Sequence, residues 1–216
     1  RNFIKPGLDR ANPLDRLSID EALRHVEHIC EIAGHRRAVA PEERCRARAP
    51  LLRRERHPRP LHGPVIRGVV DASDALAHAC CSGLDDAAAS ARLGVTQGGL
   101  DYYVAAVREC FEEAGLLFAT DRAGTLLDLA GAAGARWAQW RGPLHRGERS
   151  ILELCQQAGL TLAVDRLVYL SHWLTPPGRA KRFDTRFFIA AAPASQVAAH
   201  DGTEMLEQLW LRPAHA

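Results

Sequence analysis

Glu109, Glu112 and Glu113 fall within five consecutive residues, directly after Arg108, in the segment Asp101 to Leu117, DYYVAAVRECFEEAGLL. Carboxylates spaced this closely are the groups that hold hard divalent cations, which take oxygen ligands. Wound as a helix at about 100° per residue, the segment places Leu100, Val104, Val107, Phe111 and Ala114 on one apolar stripe. The three glutamates fall on the opposite side, within an arc of about 100°. A charged face opposite a core stripe is ordinarily a wet one, but the electrostatics here are unfavourable. Glu109 and Glu113 are like charges at i, i+4 and repel. Gly115 is the natural residue to end the helix, so all three acids crowd the negative end of its macrodipole. No lysine offsets them, and only Arg108 reaches Glu112 at i+4. A divalent cation would reverse each of these penalties.

The run Arg108-Glu109-Cys110-Phe111-Glu112-Glu113-Ala114-Gly115-Leu116 resembles the core of the Nudix box, R-E-U-x-E-E-x-G-U with U apolar, and all five fixed letters match. The full box is G-x5-E-x7-R-E-U-x-E-E-x-G-U. Counted back at that spacing, the glycine is Gly94, but the first acid falls on Leu100 and is missing. Gly68 with Asp74 reproduces the G-x5-acid opening, with 33 residues between Asp74 and Arg108. An insertion at this point resembles the coenzyme A diphosphatase branch of the superfamily, of the peroxisomal and mitochondrial type and its bacterial relatives. His172-Trp173-Leu174-Thr175-Pro176 and Lys181-Arg182-Phe183-Asp184-Thr185-Arg186-Phe187-Phe188 are similar to the W-x-T-P … R-R-[FY]-D-T-x-F-F signature of that branch. The resemblance covers roughly residues 64–212. Where the family's box opens with Pro-Gly-Gly, this chain has Ile66-Arg67-Gly68.

The resemblance implies an α+β fold, a Nudix-type α/β/α sandwich with a mixed sheet, incomplete at its N-terminal strands. It implies a metal-dependent hydrolase that cleaves a diphosphate linkage in a nucleoside diphosphate derivative, with coenzyme A or acyl-coenzyme A as substrate. Glu109, Glu112 and Glu113 are then the ligands of Mg2+ or Mn2+. Glu112, Arg108 and Glu109 form the catalytic set, with Glu112 or a loop acid assisting deprotonation of water and Arg108 orienting Glu112. Arg182, Arg186, Gly68 and Asp74 are the candidate substrate-binding residues. The rivals are a nucleoside-triphosphate or dinucleotide pyrophosphatase, and a catalytically impaired Nudix-like binding domain that keeps the acidic helix without the Pro-Gly-Gly loop.

Several of these residues have a plainer reading. On a strand, positions 182, 184 and 186 share a face. Arg182 and Arg186 would grip phosphates there, or form a self-satisfied ladder with Asp184. Asp74 is equally a turn or cap residue. Trp173 could stack on adenine, with buried packing the favoured alternative. Histidine is the residue type suited to proton transfer near neutrality, but no spacing ties His172 or His200 to the acidic motif. Cys110 lies beside the acids, which would raise its thiol pKa and blunt its reactivity.

The surrounding chain must position these groups. Its 216 residues and 47% apolar content suit one domain with some surplus, and a net charge of +2 makes no case for nucleic acid or membrane. Six cysteines without C-x-x-C spacing read as reduced thiols of a cytoplasmic protein. A small nucleotide-type molecule is the expected partner, with a homodimer left open. No signal peptide and no run of 18 apolar residues is present, and the two ends read as those of a fragment.

Ser18 and Glu21 form a capping-box pattern ahead of a helix over residues 18–34, stopped by Gly34, with His25 and His28 on its surface. Residues 36–63 hold nine arginines and four prolines between Arg36 and His62. They are open to three readings: a basic arm, an irregular surface segment, or an out-of-frame stretch. The division is therefore 1–63, an N-terminal helix plus an irregular segment, and 64–216, a hydrolase-like domain. Within the second part, Pro64–Val70 reads as a short strand and Asp71–Leu84 as helix or loop. Gly94–Gly99 is turn-rich, and Asp101 lies in the first turn of the acidic helix. A capped helix is expected at Ser150–Gly159 and strands at Leu160–Leu170, Phe183–Ala192 and Glu204–Leu211.

Overall fold

The computed structural model describes residues 69–178 and 182–199, together with the backbone of residues 29–38. In chain order these form β1 (Ile29–Ala38), a 3-10 segment (Asp74–Cys80), α1 (Asp86–Leu93), α2 (Gly99–Ala114), β2 (Ala119–Thr120), α3 (Gly131–Ala138), α4 (Arg141–His145), α5 (Ile151–Ala158), β3 (Thr161–Leu162), a second 3-10 segment (Val164–Arg166), β4 (Val168–Leu174) and β5 (Phe183–Ala191).

Two antiparallel sheets flank the long helix α2. One has strand order β1-β5-β4, and the other pairs β2 with β3. The parallel pairing between described residues is the isolated bridge Cys81–Leu162. The fold is thus the expected α+β class, with antiparallel sheets where a mixed one was anticipated.

Helix α2 is buried along its whole length. Its apolar stripe packs toward the sheet, where the Tyr103 and Phe188 rings sit 4.7 Å apart. Its N-terminal end meets α1 at very short range. Gly99 N–H donates to Ser90 Oγ at 2.9 Å, and a Cβ on Gly99 would lie 2.3 Å from the Ser90 backbone nitrogen. The 3-10 segment and α4 cover the remaining sides. The chain leaving α2 is held by the Gln196 carboxamide. Leu117 N–H donates to Gln196 Oε1 (2.9 Å), and Gln196 Nε2 donates to the carbonyls of Leu117 (3.0 Å) and Leu127 (2.9 Å). The amide satisfies buried backbone groups that no strand partner meets.

Two expected elements are corrected. Residues 29–34, read as the end of a helix, lie in β1, and residues 18–28 fall outside the described residues. β1 pairs with β5 from Ile29↔Ala191 to Ala38↔Phe183, with an irregularity between Ile32 and His35. Gly34, read as a helix stop, occupies that irregularity, where a strand glycine commonly marks a bulge. The expected boundary at 63/64 therefore divides β1 from the sheet it completes. The run Leu160–Leu170 is not one strand, because Arg166 N–H turns back to Ala163 O (3.1 Å) and Leu167 N–H to Val164 O (3.2 Å). Leu162, Val164 and Leu167 are buried all the same, so burial produced the apolar pattern without a continuous strand. The expected helix at 150–159 is α5, with Ser150 and Glu153 forming the capping box and Gly159 ending it. Phe183–Ala191 is the expected buried strand. The strand expected at 204–211 and His25, His28 and His200 lie outside the described residues.

Candidate active site

The face opposite the apolar stripe of α2 is not wet. Glu109 is 8% exposed, Glu112 4% and Glu113 2%. Water has been replaced by protein around all three carboxylates, a costly arrangement unless each finds partners.

Arg108 supplies much of that partnership. Its Nη1 donates to Glu109 Oε1 at 2.8 Å and to Glu112 Oε1 at 3.2 Å. Its Nε donates to Asp74 Oδ1 at 2.9 Å, and its Nη2 donates to Asp74 Oδ2 at 3.2 Å and to the Val69 carbonyl at 2.8 Å. Three carboxylates thus share one guanidinium. Burial pulls Arg108 toward losing its proton, but the Asp74 hydrogen bond and the surrounding charges outweigh this and hold it firmly charged. Burial raises the acids: Glu112 is pushed up to about 7, and Asp74 and Glu109 shift the same way, with Arg108 opposing in each case.

The end of α2 has a second cation. Arg141, the first residue of α4, donates from Nε to the Glu112 carbonyl (3.1 Å) and from Nη2 to the carbonyls of Glu113 (3.0 Å) and Ala199 (2.8 Å). One turn later, His145 Nδ1 stands 3.9 Å from Glu112 Oε2, the oxygen not taken by Arg108. Neither residue carried a sequence signal, since both lie about 30 positions from the acids and belong to no motif.

By chemistry and charge this set fits a divalent ion: its donors are all carboxylate oxygens, and three of its acids share one guanidinium. The glutamates are not gathered into one cage, however. Among the described residues, the group with three ligand atoms within 4.8 Å of one another is His78, Asp86 and Asp101. That group is already hydrogen-bonded at the start of α2. Asp86 accepts from Gly98 N–H (3.0 Å) and Leu100 N–H (2.9 Å), and His78 Nε2 pairs with Asp101 Oδ1 at 2.8 Å.

The other expected residues divide. Asp74 is fully enclosed and also accepts from Asp71 N–H at 2.8 Å, so it reaches the site through Arg108 and offers no surface to a substrate. Arg182 and Arg186 are not brought together. Arg182 precedes β5 and donates from Nε to the Thr175 carbonyl at 3.0 Å. Arg186 is 3% exposed, paired with Asp184 and laid over the Tyr102 ring, 5.4 Å from its centroid. Tyr102 precedes Glu109 by about two helical turns, so a direct phosphate grip by Arg186 conflicts with its burial and its place. Asp184 instead joins His172, whose Nε2 is 2.8 Å away, giving a His172–Asp184–Arg186 cluster in place of an Arg–Asp–Arg ladder. Trp173, expected to pack inside, is 72% exposed and stands edge-on to Phe187, with ring centroids 6.3 Å apart. On β4 it alternates with His172 and falls on the outer face. Cys110 is buried in the helix. Gly68 lies outside the described residues.

The family model described as the NUDT19 Nudix domain matches residues 83–216. This span takes in the 108–116 motif and the 172–188 signature and begins after Asp74. Acyl-coenzyme A diphosphatase NUDT19 of Gallus gallus is 30% identical over 134 residues, covering 55% of this chain and 35% of that protein. The Homo sapiens protein of the same name is 33% identical over 124 residues, covering 53% and 32%. The match therefore spans about a third of the length of these relatives. Among solved structures, a NUDIX hydrolase from Alicyclobacillus acidocaldarius is similar with a TM-score of 0.51 and 26% identity, over 67% of this chain and 61% of that one.

Proposed function

We propose, from the premise that this chain belongs to the NUDT19 Nudix domain family, that it hydrolyses the diphosphate linkage of coenzyme A or acyl-coenzyme A. The observation that carries the reading is the buried acid set of α2, Glu109, Glu112 and Glu113, held with Asp74 around Arg108. The names of the curated relatives, acyl-coenzyme A diphosphatases, support the substrate class.

Glu109, Glu112 and Glu113 are the residues that would hold Mg2+ or Mn2+. A bound ion would neutralise phosphate charge and make a coordinated water more acidic. Arg108 fixes Glu112 through Oε1, leaving Oε2 as the atom that takes the proton of the attacking water. Water adds to one phosphorus, the bond from that same phosphorus to the bridging oxygen breaks opposite the incoming water, and the leaving phosphate carries the bridging oxygen. The products are a 3′,5′-ADP moiety and a phosphopantetheine or its acylated form. Because Arg186 is enclosed, the charged ends of the substrate must be met by groups other than Arg186. No helix among the described residues is long and apolar enough to cross a membrane.

The test is incubation with coenzyme A and Mg2+, with product identification. Cleavage to these two products is expected, with a slower rate on the analogue lacking the 3′-phosphate. Equal rates with and without that phosphate would overturn the coenzyme A assignment. Absence of turnover on coenzyme A, NADH, ADP-ribose and dGTP would overturn the hydrolase reading in favour of a binding domain.

A further inference from the structure

The last turn of a helix leaves its carbonyl groups without intrahelical partners, and in α2 each of them is met. Gly115 N–H bonds to Phe111 O (3.0 Å), Leu116 N–H to Cys110 O (3.4 Å) and Ala199 N–H to Ala114 O (2.8 Å). The two that remain are those of Glu112 and Glu113, and both are taken by Arg141. The same guanidinium binds Ala199 O, so it joins the helix end to the segment whose N–H closes Ala114. A cation here also faces the negative end of the helix macrodipole, where the sequence crowds its acids. Gly115 leaves room for it: at φ +71°, a Cβ there would lie 3.2 Å from Arg141 Nη1.

We propose that Arg141 is a positioning residue for the metal-holding carboxylates. It fixes the backbone of Glu112 and Glu113 through two donors of one planar fork, and so sets where both side chains start. Lysine keeps the charge but lacks the planar fork whose Nε and Nη2 meet the two carbonyls. His145 lies four residues on along the same short helix and faces Glu112 Oε2, so α4 approaches this residue at both its backbone and its side chain. The inference rests on the reading that these glutamates hold a divalent ion.

The probe is Mn2+ alone, its free fraction read by electron paramagnetic resonance, on the full chain and on Arg141→Lys, Arg141→Met and Arg146→Met. Arg146 is an exposed control paired with Glu148. Per folded molecule, Arg141→Lys should weaken Mn2+ binding about 10-fold and Arg141→Met up to about 100-fold, the range for residues that orient metal ligands, with Arg146→Met unchanged. Coenzyme A cleavage should lose kcat with KM nearly constant, and millimolar guanidinium should restore part of the Arg141→Met activity. Equal Mn2+ affinity in all four proteins overturns the proposal, even if Arg141 variants melt earlier, because that pattern belongs to a purely structural clamp. Should Arg141→Met fail to fold, the Lys variant decides alone. A wild type that binds no Mn2+ overturns both this proposal and the metal reading beneath it. A wild type that binds Mn2+ without cleaving coenzyme A removes only the substrate, and the order of affinities still decides Arg141.

Discussion

Arg108 and Asp74 face each other as a two-bond pair, Nε to Oδ1 at 2.9 Å and Nη2 to Oδ2 at 3.2 Å, although 34 positions separate them in the chain. Asp74 has no exposed surface, and among the described residues its carboxylate is met by this guanidinium and by the Asp71 N–H. Removing this carboxylate's charge weakens two hydrogen bonds of a buried guanidinium that keeps Glu109 and Glu112, at a cost of roughly 1–3 kcal/mol. Asp74→Asn should therefore destabilise the chain by about that amount in urea denaturation. It should also slow cleavage, because Arg108 would then orient Glu112 from an unanchored base. A loss below about 1 kcal/mol would place Asp74 among ordinary surface caps.

The same burial gives the chain an unusual response to pH. Glu112 releases its proton near 4.5 when unfolded and near 7 when folded. Between those values the folded state binds the extra proton, so folding is favoured by protonation. That contribution is complete below about 4.5 and is lost as pH rises through about 7. Glu109 and Asp74 are displaced in the same direction. In chelator, the melting temperature should fall from pH 5.5 to pH 8, with Glu112 alone contributing on the order of 2 kcal/mol over that window. Added Mn2+ should restore stability most at pH 8, where the carboxylates are ionised and free to bind it. A melting curve flat over this range without metal would contradict the burial of these acids.

Glu112→Gln separates chemistry from stability at one atom pair. Cleavage should fall by roughly 10²- to 10⁴-fold, the usual contribution of a positioned proton acceptor. The melting temperature in chelator at pH 8 should rise, since the variant removes a buried charge that its surroundings disfavour. A variant that is both inactive and much less stable would identify Glu112 as a folding element.

The acidic helix was legible because its signals are local. Gly115 stops it with φ +71°, and Ser150 with Glu153 starts α5 by an equally local bond. What surrounds α2 was not legible. A stripe of five apolar residues predicts one buried face, while the burial of the opposite face depends on the 3-10 segment before it and α4 after it. Arg141 offsets the macrodipole from 28 and 29 residues away, a distance no periodicity spans. Arg186 lies on the face with Asp184, as alternation requires. Its enclosure follows from Tyr102 on α2 and from the strand β1 on the far side of β5, and β1 did not announce a strand because Ile29, Cys30 and Ala33 follow helical spacing up to Gly34.

The crossing of α1 and α2 gives a prediction independent of the site. Gly99 brings the two helices together so closely that an added methyl group would meet the backbone of Ser90 and Ala89, 2.3–2.6 Å away. Backbone cannot rotate aside as a side chain can, so Gly99→Ala must push the helices apart or shift α2. The cost should reach at least about 1–3 kcal/mol, as in overpacked cores. The Gly99 N–H bond to Ser90 Oγ should weaken with it, visible as faster amide exchange at residue 99. By contrast, Gly94→Ala meets nothing within 4 Å, and only its φ of +67° opposes it. Its smaller loss, about 1 kcal/mol, serves as the comparison. Equal effects at the two positions would show that the helices are not in contact there.

Trp173 poses the reverse problem, a large apolar ring left in solvent on the outer face of β4. With one edge-on aromatic neighbour it contributes little to the core, so Trp173→Ala should change stability by no more than about 0.5 kcal/mol. Its exposure makes it available to an aromatic ligand. If it stacks on the adenine of the substrate, the variant should raise KM for coenzyme A with kcat nearly unchanged, the pattern of lost uniform binding. Titration with 3′,5′-ADP should then quench a component of the tryptophan fluorescence that the variant lacks. A Trp173→Ala enzyme with unaltered KM and the same quenching would assign the ring to the sheet surface alone. The four tryptophans of the chain include Trp137 and Trp140 on the segment leading into α4, each beneath an arginine, and these would then account for the signal.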